Sequence, residues 1–325
     1  MSFVNNNTSI KALRLLGVPL SQPFNSCAWT MLQLNVPFGI QIAVPGNKSS
    51  KIGTRHENFQ SLTKHRSTQV PILIDNNNDN NNNNGNENFV LTESAAILTY
   101  LCERYGSCDS NNYDDDADDD NDGPKLYASP GTQRKAMIDS YMHWHHTNTR
   151  LVSKLFGGKI KPEWKATLST DEDKFIQNVM ASIDTGWLQQ QQSELESESK
   201  TTYIGGFNKP SIADILAYGE LSTVTMTNLL DIDENKFKNL SSWMNRMANL
   251  PYHDEAHVAL STLGDLSIHN ATTEEENSKD GSTSNDTCTI IPPIAKRLGA
   301  ATKAGIASYE NAQNKYRTII TSSSL

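Results

Sequence analysis

The chain has 325 residues, a formal net charge of −9 and an apolar share of 36%, and a length of that order predicts two domains. Two low-complexity tracts account for the polar average: positions 75–88 are nearly all Asn and Asp, and 107–123 carries eight Asp and no base. Without the acidic run the formal charge moves from −9 to about −1, so the folded part is near neutral and calls for no nucleic-acid partner.

In chain order, residues 1–10 read as a flexible, polar start without the basic and apolar segments of a secretory signal. Residues 11–19 read as a first strand with its turn, and Pro23 sits early in a helix running to about Leu34. Phe38 to Val44 alternates as a second strand, with a short helix near 56–63. Pro71–Asp75 and Asn88–Leu91 form a hairpin whose tip is the Asn tract, an insertion that costs little closure entropy there. Thr92, as N-cap, opens a helix to Tyr105, stopped by Gly106.

An acidic linker over 107–125 then leads to an all-helical region, 126–262. Met137, Tyr141, Trp144, Asn148, Leu151 and Leu155 recur at steps of four and three, predicting one unbroken packing face over 131–156. Helices at 169–188, 211–229 and 237–249 follow, with a Gln/Ser/Glu surface insert at 189–200. Ser211-Ile212-Ala213-Asp214 has the form of a capping box. The tail, 263–325, reads as mostly disordered to about 288, with a weak basic helix from Ile290. The order is thus a thioredoxin-like βαβ-ββα unit followed by helices.

No run approaches the ~20 apolar residues that span a bilayer, so no membrane partner is expected. Cys27, Cys102, Cys108 and Cys288 show neither CxxC nor zinc spacing and read as free thiols, with the cytoplasm as the default compartment. His143, His145 and His146 invite a zinc reading, but only His143 and His146 share a helix face and no third ligand falls into place. No metal site is expected.

Two phrases carry the most chemistry. Val70-Pro71-Ile72-Leu73 reads as a strand opened by a proline, which fits a fixed turn or a cis bond. Leu91-Thr92-Glu93-Ser94 reads as a strand end running into a helix whose first N–H groups point outward, a ready site for a carboxylate. Side by side, a strand edge and an anion-binding helix start suit a small, extended, acidic peptide.

These phrases, with Leu20-Ser21-Gln22-Pro23, Val36-Pro37-Phe38 and Pro210-Ser211-Ile212-Ala213-Asp214 in the same order, resemble a glutathione transferase, the theta class most closely. The likeness covers roughly 11–106 and 126–262. It implies a cytoplasmic homodimer that uses glutathione as co-substrate, holds no permanent cofactor and conjugates glutathione to a small hydrophobic electrophile. It also allows peroxidase activity.

By the same resemblance Ser21 stabilises the thiolate, where residue type alone would make it an ordinary helix cap. Val70 pairs its backbone with the cysteinyl unit and Pro71 holds that edge open, where both would otherwise only shape a turn. Glu93 and Ser94 bind the γ-glutamyl end, where plain capping is the bland reading. His56 and Gln69 fall near the glycine carboxylate, Gln69 where the family usually has lysine; an exposed surface histidine is the alternative for His56. Arg150, an i, i+3 neighbour of Thr147, reaches toward glutathione or across the dimer, or is a plain exposed arginine. Asn25 stands where the family often has arginine. A non-catalytic binding or scaffolding protein of the same fold is the rival reading. A thiol–disulfide oxidoreductase acting through Cys27 is disfavoured, because serine occupies the motif.

Overall fold

The computed structural model describes residues 13–76, 89–106, 125–160, 171–189, 202–267 and 293–323, with side chains to 315. The polar start at 1–10, nearly all of the Asn, acidic and Gln/Ser/Glu inserts, the stretch 268–288, Cys108 and Cys288 lie outside the described residues.

The first strand is β1 (Leu13–Gly17), followed by α1 (Gln22–Gln33), β2 (Phe38–Ile42), α2 (Glu57–Leu62), β3 (Ile72–Asp75), β4 (Phe89–Thr92) and α3 (Ser94–Tyr105). The sheet order is β2-β1-β3-β4. β1 runs parallel to β2 and antiparallel to β3, and β4 closes the edge antiparallel to β3. Alternation along the strands splits the apolar residues between two faces. Leu13, Leu15 and Leu73 join α1 and α3 in the main core. Leu16, Ile72, Ile74 and Val90 pack with Phe59 of α2 on the other side. This is the expected thioredoxin-like βαβ-ββα unit.

The helical region comprises α4 (Gln133–His145), α5 (Thr149–Val152), α6 (Lys154–Ile160), α7 (Glu172–Ser182) with a π-helical turn over Ile183–Trp187, α8 (Ile212–Thr225), α9 (Lys238–Ala248), α10 (His253–Leu263) and α11 (Ile294–Ser323). α8 is buried on every side from Ile212 to Val224, the pattern of a helix at the centre of a domain. Its capping box forms as expected, and Asp214 does more than cap. Its carboxylate accepts from Ser211 N–H at 2.8 Å, Ile204 N–H at 2.7 Å and the Trp243 indole at 2.9 Å, tying α8 to α9 and to the loop before it. α1 lies close against α8 at Gly219, where a Cβ would meet Ser26 Oγ at 2.6 Å.

Several expectations need correction. The helix over 131–156 is not continuous: Asn148 leaves helical space at φ −127°, ψ −92°, separating α4 from α5. Besides Arg134 and Ser153, its buried positions are Ile138, Tyr141, Met142, His145, Thr149, Val152 and Phe156, a stripe displaced by one residue from the predicted face. Tyr141 alone belongs to both. Thr92 is the last residue of β4 rather than a cap, and Glu93 takes the N-cap position.

The predicted 211–229 helix ends at Thr225. α10 was not foreseen. The helix expected from Ile290 is present as α11, but it is a packed element rather than a weak one: it lies along α10, with Ala301, Tyr309 and Ala312 fully buried.

Candidate functional site

The site is assembled at the edge where β3, α1, α3, α5 and α8 converge. Before β3 the chain is pinned by Thr63, whose hydroxyl donates to Ser67 O at 3.1 Å, and by Arg66, whose guanidinium donates to Val90 O at 2.8 Å. Gln69 N–H is taken by Ser67 Oγ at 3.0 Å. The Val70–Pro71 peptide is cis. Pairing of β3 with both neighbours begins only at Ile72, so Val70 stands two residues outside the sheet ladder.

Across the cleft, Glu93 holds φ +70°, ψ 117°, a conformation that L-residues adopt at a penalty of about 1–3 kcal/mol. This kink turns the end of β4 directly into α3, so the first-turn N–H groups of α3 face the cleft with the positive end of the helix dipole. The elements therefore place a carboxylate (Glu93) beside the helix start at Ser94, in one cleft with the backbone of Val70 just before β3.

The floor is ionic and buried. Arg150 Nη1 donates to Glu220 Oε1 at 3.0 Å and Oε2 at 3.2 Å, and to Gln22 Oε1 at 3.3 Å. The Glu220 side chain is 1% exposed, that of Arg150 34%. Burial pushes the Glu220 carboxyl upward, opposed by the Arg150 guanidinium. His145 Nε2 lies 3.5 Å from Glu220 Oε1. Burial, with help from Arg150 and His146, lowers the His145 imidazole to about 3, so it is neutral at physiological pH.

Gln69, Val70, Pro71, Glu93, Ser94 and Arg150 are thus brought to one cleft, which His145 and Glu220 also line. Ser21 and His56 are not among its lining residues. Ser21 is the N-cap of α1, two positions before Pro23, which does line the cleft. Its backbone accepts from Asn25 N–H at 2.9 Å, but its hydroxyl makes no capping bond. His56 caps α2, its Nδ1 accepting from Asn58 N–H at 3.2 Å.

Thr147 is exposed, as are His143 and His146. Cys27 is fully buried in α1, and burial pushes its thiol well up, away from the reactive thiolate. Asn25 turns from the cleft and accepts the Tyr309 hydroxyl of α11.

Sequence reasoning missed Gln22, His145 and Glu220. One signal was available for Glu220: it is, with Asp214, an acidic residue inside the otherwise apolar run 212–221, and only Asp214 has a capping role. His145 carried no such signal, since its burial follows from the face of α4 that the periodicity misplaced.

The model of the glutathione S-transferase N-terminal domain matches residues 15–110, and that of the C-terminal domain matches 187–251. Over 184 residues the chain is 27% identical to glutathione S-transferase T3 of Arabidopsis thaliana, a match covering 52% of this chain and 26% of that protein. It is 25% identical over 254 residues to dichloromethane dehalogenase of Methylorubrum extorquens, covering 74% of this chain and 73% of that one. The chain thus spans about a quarter of the plant relative's length.

Among solved structures, the glutathione transferase URE2P8 of Phanerochaete chrysosporium, determined with oxidized glutathione, superposes with a TM-score of 0.56 at 19% identity. It covers 79% of this chain and 98% of that one. The fold is that of glutathione transferases, a thioredoxin-like domain followed by a helical one, and the chain carries both domains in that order.

Proposed function

We propose that this chain is a glutathione transferase, theta-like in its motifs, that binds glutathione in the cleft between Val70 and Ser94 and transfers its sulfur to small electrophiles. One observation carries the reading: the backbone at Val70, just before β3 and outside its ladder, shares a single cleft with a carboxylate and a helix start at Glu93 and Ser94. Glutathione has the matching parts. Its cysteinyl backbone adds to the strand edge, its γ-glutamyl carboxylate meets Ser94 and the α3 N-terminus, and its ammonium meets Glu93. Gln69 offers hydrogen bonds without charge to the glycine end, and His56 lies further out.

Ser21 supplies the chemistry. An ordinary cysteine thiol has a pKa of ~8.5, so only about 3% is thiolate at pH 7. Lowering that pKa by ~2 units needs about 2.7 kcal/mol of preferential anion stabilisation. A hydroxyl donating to a charged sulfur supplies ~1.5–3 kcal/mol and the start of α1 adds ~0.3–1, so no general base is required. The thiolate then attacks an electrophilic carbon, forming the C–S bond as the leaving group departs with its electron pair, or attacks a hydroperoxide oxygen, forming an S–O bond as the alkoxide leaves, after which a second glutathione displaces water from the sulfenic acid to give the disulfide. The family likeness further supports a homodimer and a cytoplasmic location.

The test is a thiolate absorbance titration of bound glutathione in the wild type and in Ser21→Ala. The variant should keep glutathione affinity within about threefold while the bound thiol's pKa rises by ~1–2 units. An unchanged titration removes Ser21 from the mechanism. A panel of alkyl halides, epoxides and hydroperoxides identifies the electrophile; the halides are included because one relative is a dichloromethane dehalogenase. A second reading, glutathione binding without transfer, is favoured by the position of Ser21 outside the cleft lining. Tight binding with no turnover across the panel would establish it.

A further inference from the structure

The cleft floor carries a carboxylate that packing does not explain. Glu220 sits in α8, which is buried on every side from Ile212 to Val224, with 1% of its side chain exposed. Burying a carboxylate there is unfavourable unless it is paired, and a hydrophobic residue of similar size in place of a buried ion-pair member is often neutral or stabilising. Arg150 has no matching need, because a guanidinium one-third exposed is readily solvated without a partner. The pair therefore serves the arginine's position more than the helix's stability.

Its geometry agrees. Both Glu220 oxygens engage one nitrogen, Nη1, within 3.2 Å, and the Gln22 amide oxygen takes the same nitrogen from the side of α1. The contacts converge on a single corner of the guanidinium, leaving Nη2 and Nε for the cleft that Arg150 lines. Neutral His145, 3.5 Å from Glu220 Oε1, closes the carboxylate off without competing as a cation.

We propose that Glu220 is a positioning residue: with Gln22 it clamps one corner of Arg150, so that the remaining N–H groups are held over the cleft for a carboxylate of glutathione. The inference rests on the reading of this cleft as a glutathione site. Because Gln22 directly follows Ser21, the clamp also joins the arginine to the start of α1, where the sulfur is activated.

The experiment measures glutathione Kd by calorimetry, and kcat and KM with a responsive electrophile, for the wild type, Arg150→Ala, Glu220→Met, Glu220→Gln and the Arg150→Ala/Glu220→Met double variant. Glu220→Met keeps the volume and removes both acceptors. It should weaken glutathione binding about tenfold, as loss of a charge-assisted contact does, with the change in KM rather than kcat and with a melting temperature no lower than the wild type's. Glu220→Gln, which retains one acceptor oxygen, should fall between the two and serves if the methionine variant does not fold.

The double variant should bind no more weakly than Arg150→Ala alone, since the carboxylate acts through that arginine. Wild-type affinity in Glu220→Met and Glu220→Gln, or additive losses in the double variant, would overturn the clamp while leaving the glutathione site intact. Failure of the wild-type chain to bind glutathione would overturn both.

Discussion

The cleft edge and the tail flank are built on opposite plans. At the cleft, a few residues fix unusual backbone locally: Pro71 before β3, Glu93 at positive φ, and the open first turn of α3. Pro71 is buried, Ser94 half-buried and Glu93 exposed, and all three line the cleft. On the tail flank, α11 lies on α10 and α1 with a stripe of small residues and one large one. Gly305 meets Pro19 so closely that a Cβ would stand 2.7 Å from its Cβ. Tyr309 is fully buried between Phe24 and Phe38 and donates to Asn25 and Ala256 O. Gln313 Oε1 accepts the Phe38 N–H at 3.0 Å, capping the start of the edge strand β2. The comparison teaches that the chemical edge is written in neighbouring residues, whereas the structural flank is written in distant partners, 53 residues away on α10 and 275 or more at α1 and β2.

Removing α11 breaks the comparison most severely. A chain ending at Pro293 loses the burial of Tyr309, Ala301 and Ala312, and it leaves Asn25 and the Phe38 N–H without these partners. A loss of about 5 kcal/mol is expected, roughly 10–20 °C in the melting midpoint. Since Gly305 abuts Pro19, two residues before Ser21, turnover should fall along with stability. Melting of the truncated chain within 2 °C of the full one would show that the flank is not part of the core.

The same contrast governs what the sequence revealed. Val70-Pro71 and Glu93-Ser94 were legible because a proline at a strand start and a strand running into a helix are local constraints on backbone geometry. The capping box at Ser211 and Asp214 was legible for the same reason. The face of α4 was misplaced by one residue, because Trp144 and Leu151 look like core residues by composition while the smaller Thr149 and the polar His145 are the ones enclosed. Burial there is decided by the approach of α8, which no spacing within 131–156 encodes. α11 was read only as a weak helix because Ala, Gly and Tyr at steps of four carry little hydrophobicity, and only their close approach to α10 and α1 makes them core. Glu220 was marked only as a charge in an apolar run, and its link to Gln22 was not legible because the arginine that unites them comes from a third element.

A milder test addresses α10. His257 is buried against Trp29 and Tyr218 and stacked on His253 at 4.4 Å, with the exposed Asp254 carboxylate on the far side of His253. Its Nδ1 lies 2.7 Å from His253 O, and its Nε2 is buried without a partner. Burial, with the neighbouring His253, lowers its imidazole to about 3, below the ~6.5 of an unfolded chain. Between those values the unfolded state binds a proton that the folded state refuses. The stabilising contribution is therefore present above ~6.5 and lost as the pH falls. His257→Phe should remove this dependence. From pH 7 to 5 the variant should lose about 2 kcal/mol less stability than the wild type by denaturant titration. Parallel pH profiles would show that His257 is protonated in the fold.

The smallest effect falls on Glu93 and separates the two plans most cleanly. If the cleft edge spends local backbone strain on function, Glu93→Gly should relieve the φ of +70° and stabilise the fold by about 1 kcal/mol. It should at the same time weaken glutathione binding by removing the carboxylate that faces the ammonium. Glu93→Ala removes that carboxylate but keeps a Cβ in the same conformation, so it should weaken binding equally without the gain in stability. Measuring both variants by denaturant titration and calorimetry distinguishes strain from charge. Equal stability for the glycine and alanine variants would mean that the turn between β4 and α3 is relaxed, and that Glu93 is present for its carboxylate alone. A stability gain without loss of affinity would mean the reverse, and the ammonium of the ligand would then have to be met elsewhere.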